Sequence, residues 1–118
     1  MAKHTEIGRN GEQIAMNFLK NKGYSIKALN WRHGREEIDI IAFDGKELVF
    51  VEVKTRSSFS LGFPEEAVHD RKQAAIKKTA AAYLDLYNQE LMIRFDIISV
   101  LLQNGKAPEI LHLQDAFY

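Results

Sequence analysis

Between Glu37 and Arg56 the chain reads Glu-Ile-Asp-Ile-Ile-Ala-Phe-Asp-Gly-Lys-Glu-Leu-Val-Phe-Val-Glu-Val-Lys-Thr-Arg, two apolar runs each interrupted by charge where a buried strand should carry none. Asp44-Gly45 is a strong tight-turn signal, so Glu37 to Phe43 and Lys46 to Lys54 read as the arms of a β-hairpin. With the loop centred on Asp44-Gly45, Asp39 lies opposite Phe50 and Glu37 opposite Glu52. Glu37, Asp39, Glu52 and Lys54 then share one face, and Ile38, Ile40, Val51 and Val53 the other. Asp39 and Glu52 become diagonal neighbours, within reach of one bound cation. Carboxylates crowded in this way repel unless a metal or a neighbouring cation compensates.

Ten Glu and ten Lys in 118 residues yield about one Glu-x-Lys triplet by chance, so the triplet acquires weight only from its apolar strand and from Asp39 on the partner arm. The competing reading is a sheet-edge hairpin whose charges face water and deter edge pairing. At 118 residues the chain is expected to form one domain, 1–118. Its 46% hydrophobic and 27% charged residues are those of an ordinary soluble globular protein. The absence of cysteine excludes disulfides and thiolate metal sites and fits a cytoplasmic setting. No apolar signal core opens the sequence and no stretch approaches a membrane span, so no membrane partner is expected.

Sixteen basic residues balance sixteen acidic ones, which argues against coating nucleic acid by bulk charge. Local charge remains available. Arg32, Arg35, Lys54, Arg56, Arg71, Lys72, Lys77 and Lys78 either rim an acidic centre or are scattered solvated charges.

Thr5 can cap a first helix running to about Lys22, with Gly23 ending it and Ile7, Gly11, Ile14, Ala15, Phe18 and Leu19 as its apolar stripe. Gly8 and Gly11 each cost about 1 kcal/mol in a helix interior, which a close approach by sheet or ligand would explain. Glu12 flanks that stripe. Tyr24 to Trp31 reads as a first strand. Ser57 to Pro64 is a loop, and Asp70 to Tyr87 a helix with Ile76, Ala80, Tyr83, Leu84 and Tyr87 inward, Lys72 and Gln73 in its first turn. Leu91 to Leu102 and Glu109 to Leu113 form a closing hairpin. The expected fold class is mixed α/β, in the order α-β-β-β-α-β-β.

Arg94 and Asp96 read as a structural ion pair, and Trp31 as a core residue rather than a base-stacking one. Four dispersed histidines give no zinc spacing. Phosphate loop, nucleophile elbow and cysteine nucleophile are all missing, which excludes the chemistries built on them.

Gly8-x-x-Gly11-Glu12, Gly23-Tyr24, Asn30-Trp31-Arg32, Glu37-Ile38-Asp39-Ile40-Ile41, Phe50-Val51-Glu52-Val53-Lys54-Thr55-Arg56 and Arg94-Phe95-Asp96, in this order, resemble the YraN-like family of small bacterial proteins. His112 and Ala116-Phe117 look like that family's tail. The resemblance spans nearly the whole chain and implies a restriction-endonuclease-like fold, a central mixed sheet flanked by helices, similar to archaeal Holliday-junction resolvases. It implies that Asp39, Glu52 and Lys54 match the superfamily's Asp and Glu-x-Lys, and that Glu12 matches the acidic residue of the first helix; Gln73 aligns loosely with a helix polar residue. The sequence departs from the hallmark at Ile38, where the superfamily carries proline, and at Glu36, where the family carries glycine.

On this reading Asp39 and Glu52 hold Mg²⁺ or Mn²⁺, Glu12 assists, and Lys54 orients the attacking water and stabilises the charged transition state. Arg56, Lys72 and Gln73 face nucleic acid. The expected function is a metal-dependent endonuclease hydrolysing DNA phosphodiesters, in branched or damaged DNA. The alternative is a non-catalytic module that keeps the fold and docks DNA or a protein. Symmetric paired incisions would ask for a homodimer.

Overall fold

The computed structural model describes residues 6–57, 70–87 and 92–117. Helix α1 (Glu6–Asn21) leads into three antiparallel strands, β1 (Ser25–His33), β2 (Glu36–Asp44) and β3 (Glu47–Arg56). Helix α2 (Asp70–Tyr87) then crosses over to β4 (Met92–Leu101), which runs parallel to β3, and β5 (Glu109–Phe117) closes the sheet antiparallel to β4. The order across the single sheet is β1-β2-β3-β4-β5, so β1 and β5 are its edges. The expected order of elements is the observed one; β5 extends beyond the expected Leu113 to Phe117. Thr5 and most of the Ser57 to Pro64 loop lie outside the described residues. No described helix is long and apolar enough to cross a membrane.

The two faces of the sheet bury separate clusters, each under one helix. Ala15 and Leu19 of α1 cover Ile40, Ala42, Val49, Val51, Val53, Ile98 and Val100. Ile76, Ala80 and Tyr83 of α2 cover Ile38, Ile41, Leu48, Phe50, Phe95, Ile97 and Phe117. Apolar side chains on both faces of β3 and β4 are what a central strand between two layers requires. Trp31 packs against the α2 cluster, edge-on to Tyr83, and so serves the core. Tyr87, expected to face inward, is 51% exposed, though its ring lies 4.7 Å from that of Tyr83.

Gly11 sets the height of α1 above the sheet. A Cβ at this position would fall 2.8 Å from both Cβ and Cγ2 of Thr55 and closer still to its hydroxyl oxygen. Only glycine lets the helix descend onto the end of β3, and the next residue, Glu12, is carried down with it.

Two expectations about the hairpin need correction. The tight turn is Gly45-Lys46, between the pair Asp44 and Glu47, with Gly45 at φ 60° in the first turn position, as in type II′ turns. Moving the turn by one residue shifts every partner: Ile41, not Asp39, lies opposite Phe50. Second, Ile38 and Ile40 do not share a face, for Ile38 packs under α2 and Ile40 under α1. Alternation resets between them, at Asp39. The neighbouring strand resets at the same level, where Asn30 adopts φ 50° and Ala28 and Trp31 both face α2.

Candidate active site

Strands β2 and β3 part company where that reset occurs. Their ladder runs from Asp44–Glu47 to Ile40–Val51 and stops. Beyond it the N–H of Val53 donates to Asp39 Oδ2 at 2.8 Å, so a carboxylate stands where a strand carbonyl would be. The opened end is a cavity of about 140 Å³ lined by Glu12, Glu37, Asp39, Glu52, Lys54 and Lys72, with Val53. Glu12 comes from α1 above the sheet and Lys72 from the first turn of α2 below it. The cleft is therefore framed by both layers and by the splayed strands.

Within it, Glu12, Glu37 and Asp39 each offer a carboxylate oxygen within 4.8 Å of the others. Glu37 is only 5% exposed. Arg32 pairs with it at 3.0 Å, and Asn30 Nδ2 donates to both Glu37 Oε2 at 3.0 Å and Glu12 Oε1 at 2.9 Å. Asn30 thus uses its left-handed backbone to hold two carboxylates from two elements. Asn is among the residues that tolerate that conformation, which is the signal in the sequence that could have located it. Neither Asn30 nor Glu37 was among the expected site residues.

Glu52, also 5% exposed, sits 3.4 Å from Lys72 Nζ and 3.9 Å from Lys54 Nζ. Among the described residues, no cation is paired with Asp39. Burial, then the charge of Glu52, raises its carboxyl well above the usual value against the opposing Val53 N–H, and Glu12 and Glu37 add to the rise. Of the expected residues, Glu12, Asp39, Glu52, Lys54 and Lys72 converge on the cleft, while Arg56 and Gln73 are half-buried and do not line it. Arg35, Arg71 and Lys78 are exposed and Lys77 half-buried, and none of them lines it; among the described residues, Arg32, Lys54 and Lys72 pair with its carboxylates.

The donor set is all carboxylate oxygen, the chemistry that suits Mg²⁺ or Mn²⁺. Three acidic residues in mutual reach, one with its ionised form destabilised, match what such a cation would neutralise.

At the opposite pole of the sheet, Arg94 and Asp96 form the expected pair, at 2.8 and 2.9 Å. Arg94 also donates to Asp44 and Glu47, both at 3.0 Å, and to the Tyr24 hydroxyl at 2.6 Å. His112 Nε2 lies 2.6 Å from Asp96, and Lys22 meets His112 Nδ1 at 2.9 Å. Burial alone would raise the Asp96 carboxyl, but the hydrogen bonds from His112, Arg94 and the Asp115 N–H outweigh it and hold it below the usual value. This knot ties β2, β3, β4, β5 and the segment that follows α1 together.

The uncharacterised protein family UPF0102 matches residues 11–100, a span holding every lining residue of the cleft. The chain belongs to that family. UPF0102 proteins of Porphyromonas gingivalis are 48% identical over 118 residues, covering 99% of this chain and 87% of theirs. The UPF0102 protein of Bacteroides thetaiotaomicron is 45% identical over 118 residues, with 100% and 97% covered. That of Chlorobium limicola is 48% identical, with 95% and 92% covered.

Proposed function

We propose that the chain is a metal-dependent endonuclease acting on DNA phosphodiesters, with a restriction-endonuclease-like fold and a cytoplasmic site of action. The observation that carries the reading is the opened end of the β2–β3 hairpin, where Asp39 and the Glu52-x-Lys54 segment line one cleft with Glu12. A mixed sheet with a helical crossover between parallel β3 and β4 supports the fold assignment.

Asp39, Glu12 and Glu37 would hold a divalent cation, with Glu52 completing or sharing the site. When bound, the cation supplies charge neutralisation at the phosphate and a lowered pKa for water. The chain's own groups do the rest. Lys54, beside the Glu52 carboxylate, is placed to orient a water and to stabilise negative charge that grows on the phosphoryl oxygens. Lys72, on the α2 side, would grip a neighbouring backbone phosphate and fix register without reading sequence. Asn30 and Arg32 hold Glu12 and Glu37 in place before substrate arrives.

Cleavage of linear, nicked, flapped and four-way-junction DNA with Mg²⁺ and with Mn²⁺ tests the reading. Metal-dependent cutting of a branched or nicked substrate by the parent, lost in Asp39→Asn and Glu52→Gln, is the expected result. No cutting of any substrate, with DNA bound all the same, would favour a binding module on the same fold. Zero formal net charge and the pairing of Glu52 with two lysines are the observations on that side.

A further inference from the structure

A second cavity, about 190 Å³, opens between α1 and the edge strand β1 and shares Glu12 and Asn30 with the acidic cleft. Its other lining residues are Arg9, Gln13, Met16 and Leu29. Arg9, Glu12, Gln13 and Met16 recur at i, i+3, i+4 and i+7, so they form one stripe along α1 facing the strand. Leu29 is 48% exposed, an apolar side chain left open to solvent one residue from the left-handed Asn30. In the metal-dependent reaction proposed above, this cavity has no part.

The chemistry of the lining differs from that of the cleft. Leu29 and Met16 give an apolar floor, and a thioether is a favourable neighbour for an aromatic ring. Gln13, exposed at the rim, offers an amide donor and acceptor. The charges of Arg9 and Glu12 oppose one another, so the cavity has no net charge to attract a phosphate. A flat, neutral group with apolar faces and a polar edge fits this lining, and a nucleobase is such a group. From the reading of the cleft as a DNA-cutting site, on which this step rests, the backbone of the nucleotide would pass Glu12 and Asn30 while its base turned toward Leu29.

We infer that the α1–β1 cavity receives one unpaired nucleobase next to the phosphate held in the acidic cleft. A base inside an intact duplex must be unstacked and unpaired before it can enter, whereas one at a flap, bulge or branch point is already free of part of that cost. The substrate class is thus DNA with an unpaired nucleotide beside the cut. The cavity is what makes the preference.

The test couples a change in the protein to a change in the DNA. A flapped duplex is prepared with a normal unpaired base at the branch and with an abasic residue there. Affinity by fluorescence anisotropy and single-turnover cutting with Mn²⁺ are measured for the parent and for Leu29→Ala/Gln13→Ala. Both substitutions are at exposed positions, and thermal melting checks that the fold survives. The parent should favour the normal base by about 10-fold, the worth of one base contact, and the double variant should treat the two substrates alike. A variant that keeps the parent's ratio, or a parent that cuts both substrates equally, overturns the base cavity and leaves the nuclease reading standing. A parent that neither binds nor cuts either substrate removes both.

Discussion

Asp39 accepts the backbone N–H of Val53 at 2.8 Å, across the point where the ladder between their strands ends. One side chain therefore does two things: it terminates strand pairing, and it presents its carboxyl to the opening that termination creates. The bond also limits how far the strands can separate, because Asp39 has too short a side chain to follow Val53 outward.

Asp39→Asn should stabilise the metal-free protein at neutral pH. Burial and the neighbouring carboxylates raise the Asp39 carboxyl in the folded state, while in the unfolded chain it ionises near pH 3.9. Its contribution is fully present below that unfolded value and is lost as pH rises through the folded one. Asparagine keeps an acceptor for Val53 and carries no charge. Thermal melts in EDTA should give the variant a higher Tm than the parent at pH 7, with the gap closing below about pH 4. A parent more stable than the variant at pH 7 would refute the raised carboxyl.

Gly11→Ala should destabilise, although alanine is the better helix former by about 1 kcal/mol. The added methyl meets Thr55, and overpacking of this kind costs about 1–3 kcal/mol. Adding Thr55→Ala should recover part of the loss, because the hydroxyl and Cγ2 disappear while Cβ stays in place. Urea denaturation of the two variants reads the difference.

Asn30→Gly and Asn30→Ala separate backbone from side chain. Both lose the bridge to Glu12 and Glu37 and should weaken Mn²⁺ binding in titration calorimetry. Holding φ 50° costs alanine and not glycine, so alanine should be the less stable by about 1 kcal/mol, against the usual ranking of the two residues in strands. Equal stability would mean that the left-handed conformation is not needed there.

Lys54→Ala should abolish cutting while lowering DNA affinity only modestly and reducing the salt slope by about one unit. Arg56→Ala should leave single-turnover chemistry at saturation nearly intact and act on binding alone, since Arg56 does not line the cleft. Equal losses from both would count against a catalytic lysine.

The elements were legible because their signals were local. Period-2 and period-3.6 patterns bounded α2 at Asp70 and Tyr87 and set the helix and strand order. The convergence of Asp39 with Glu52 and Lys54 survived a wrong register for a geometric reason. Moving the turn centre by one residue shifts each pair by two positions in sum, which exchanges partners but keeps every residue on its face. What could not be read was the reset at Asp39 and Asn30. Strict alternation sent Ile38 and Ile40 to one side, and nothing in β2 alone says that a carboxylate will replace a ladder carbonyl. For the same reason Asn30 was missed and Glu37, though placed on the charged face, was given no role: their value lies in a contact between three elements, not in a spacing along one.

The breaks in alternation have a consequence at the rim of the sheet as well as at the cleft. Among the described residues, the two non-glycine residues with positive φ are Asn30 and Asp115, and they fall on the two edge strands, β1 and β5. Asp115 stands where the register with β4 shifts, its N–H on Asp96, while on β1 the register with β2 shifts between Ile26 and Ala28, just before Asn30. An edge made irregular in this way offers a poor template to a foreign strand, since a bulge twists the edge and breaks a straight ladder. The irregularities that put two aspartates to use thereby also protect the sheet from growing by accretion, so that straightening either edge would trade a functional group for a propensity to aggregate.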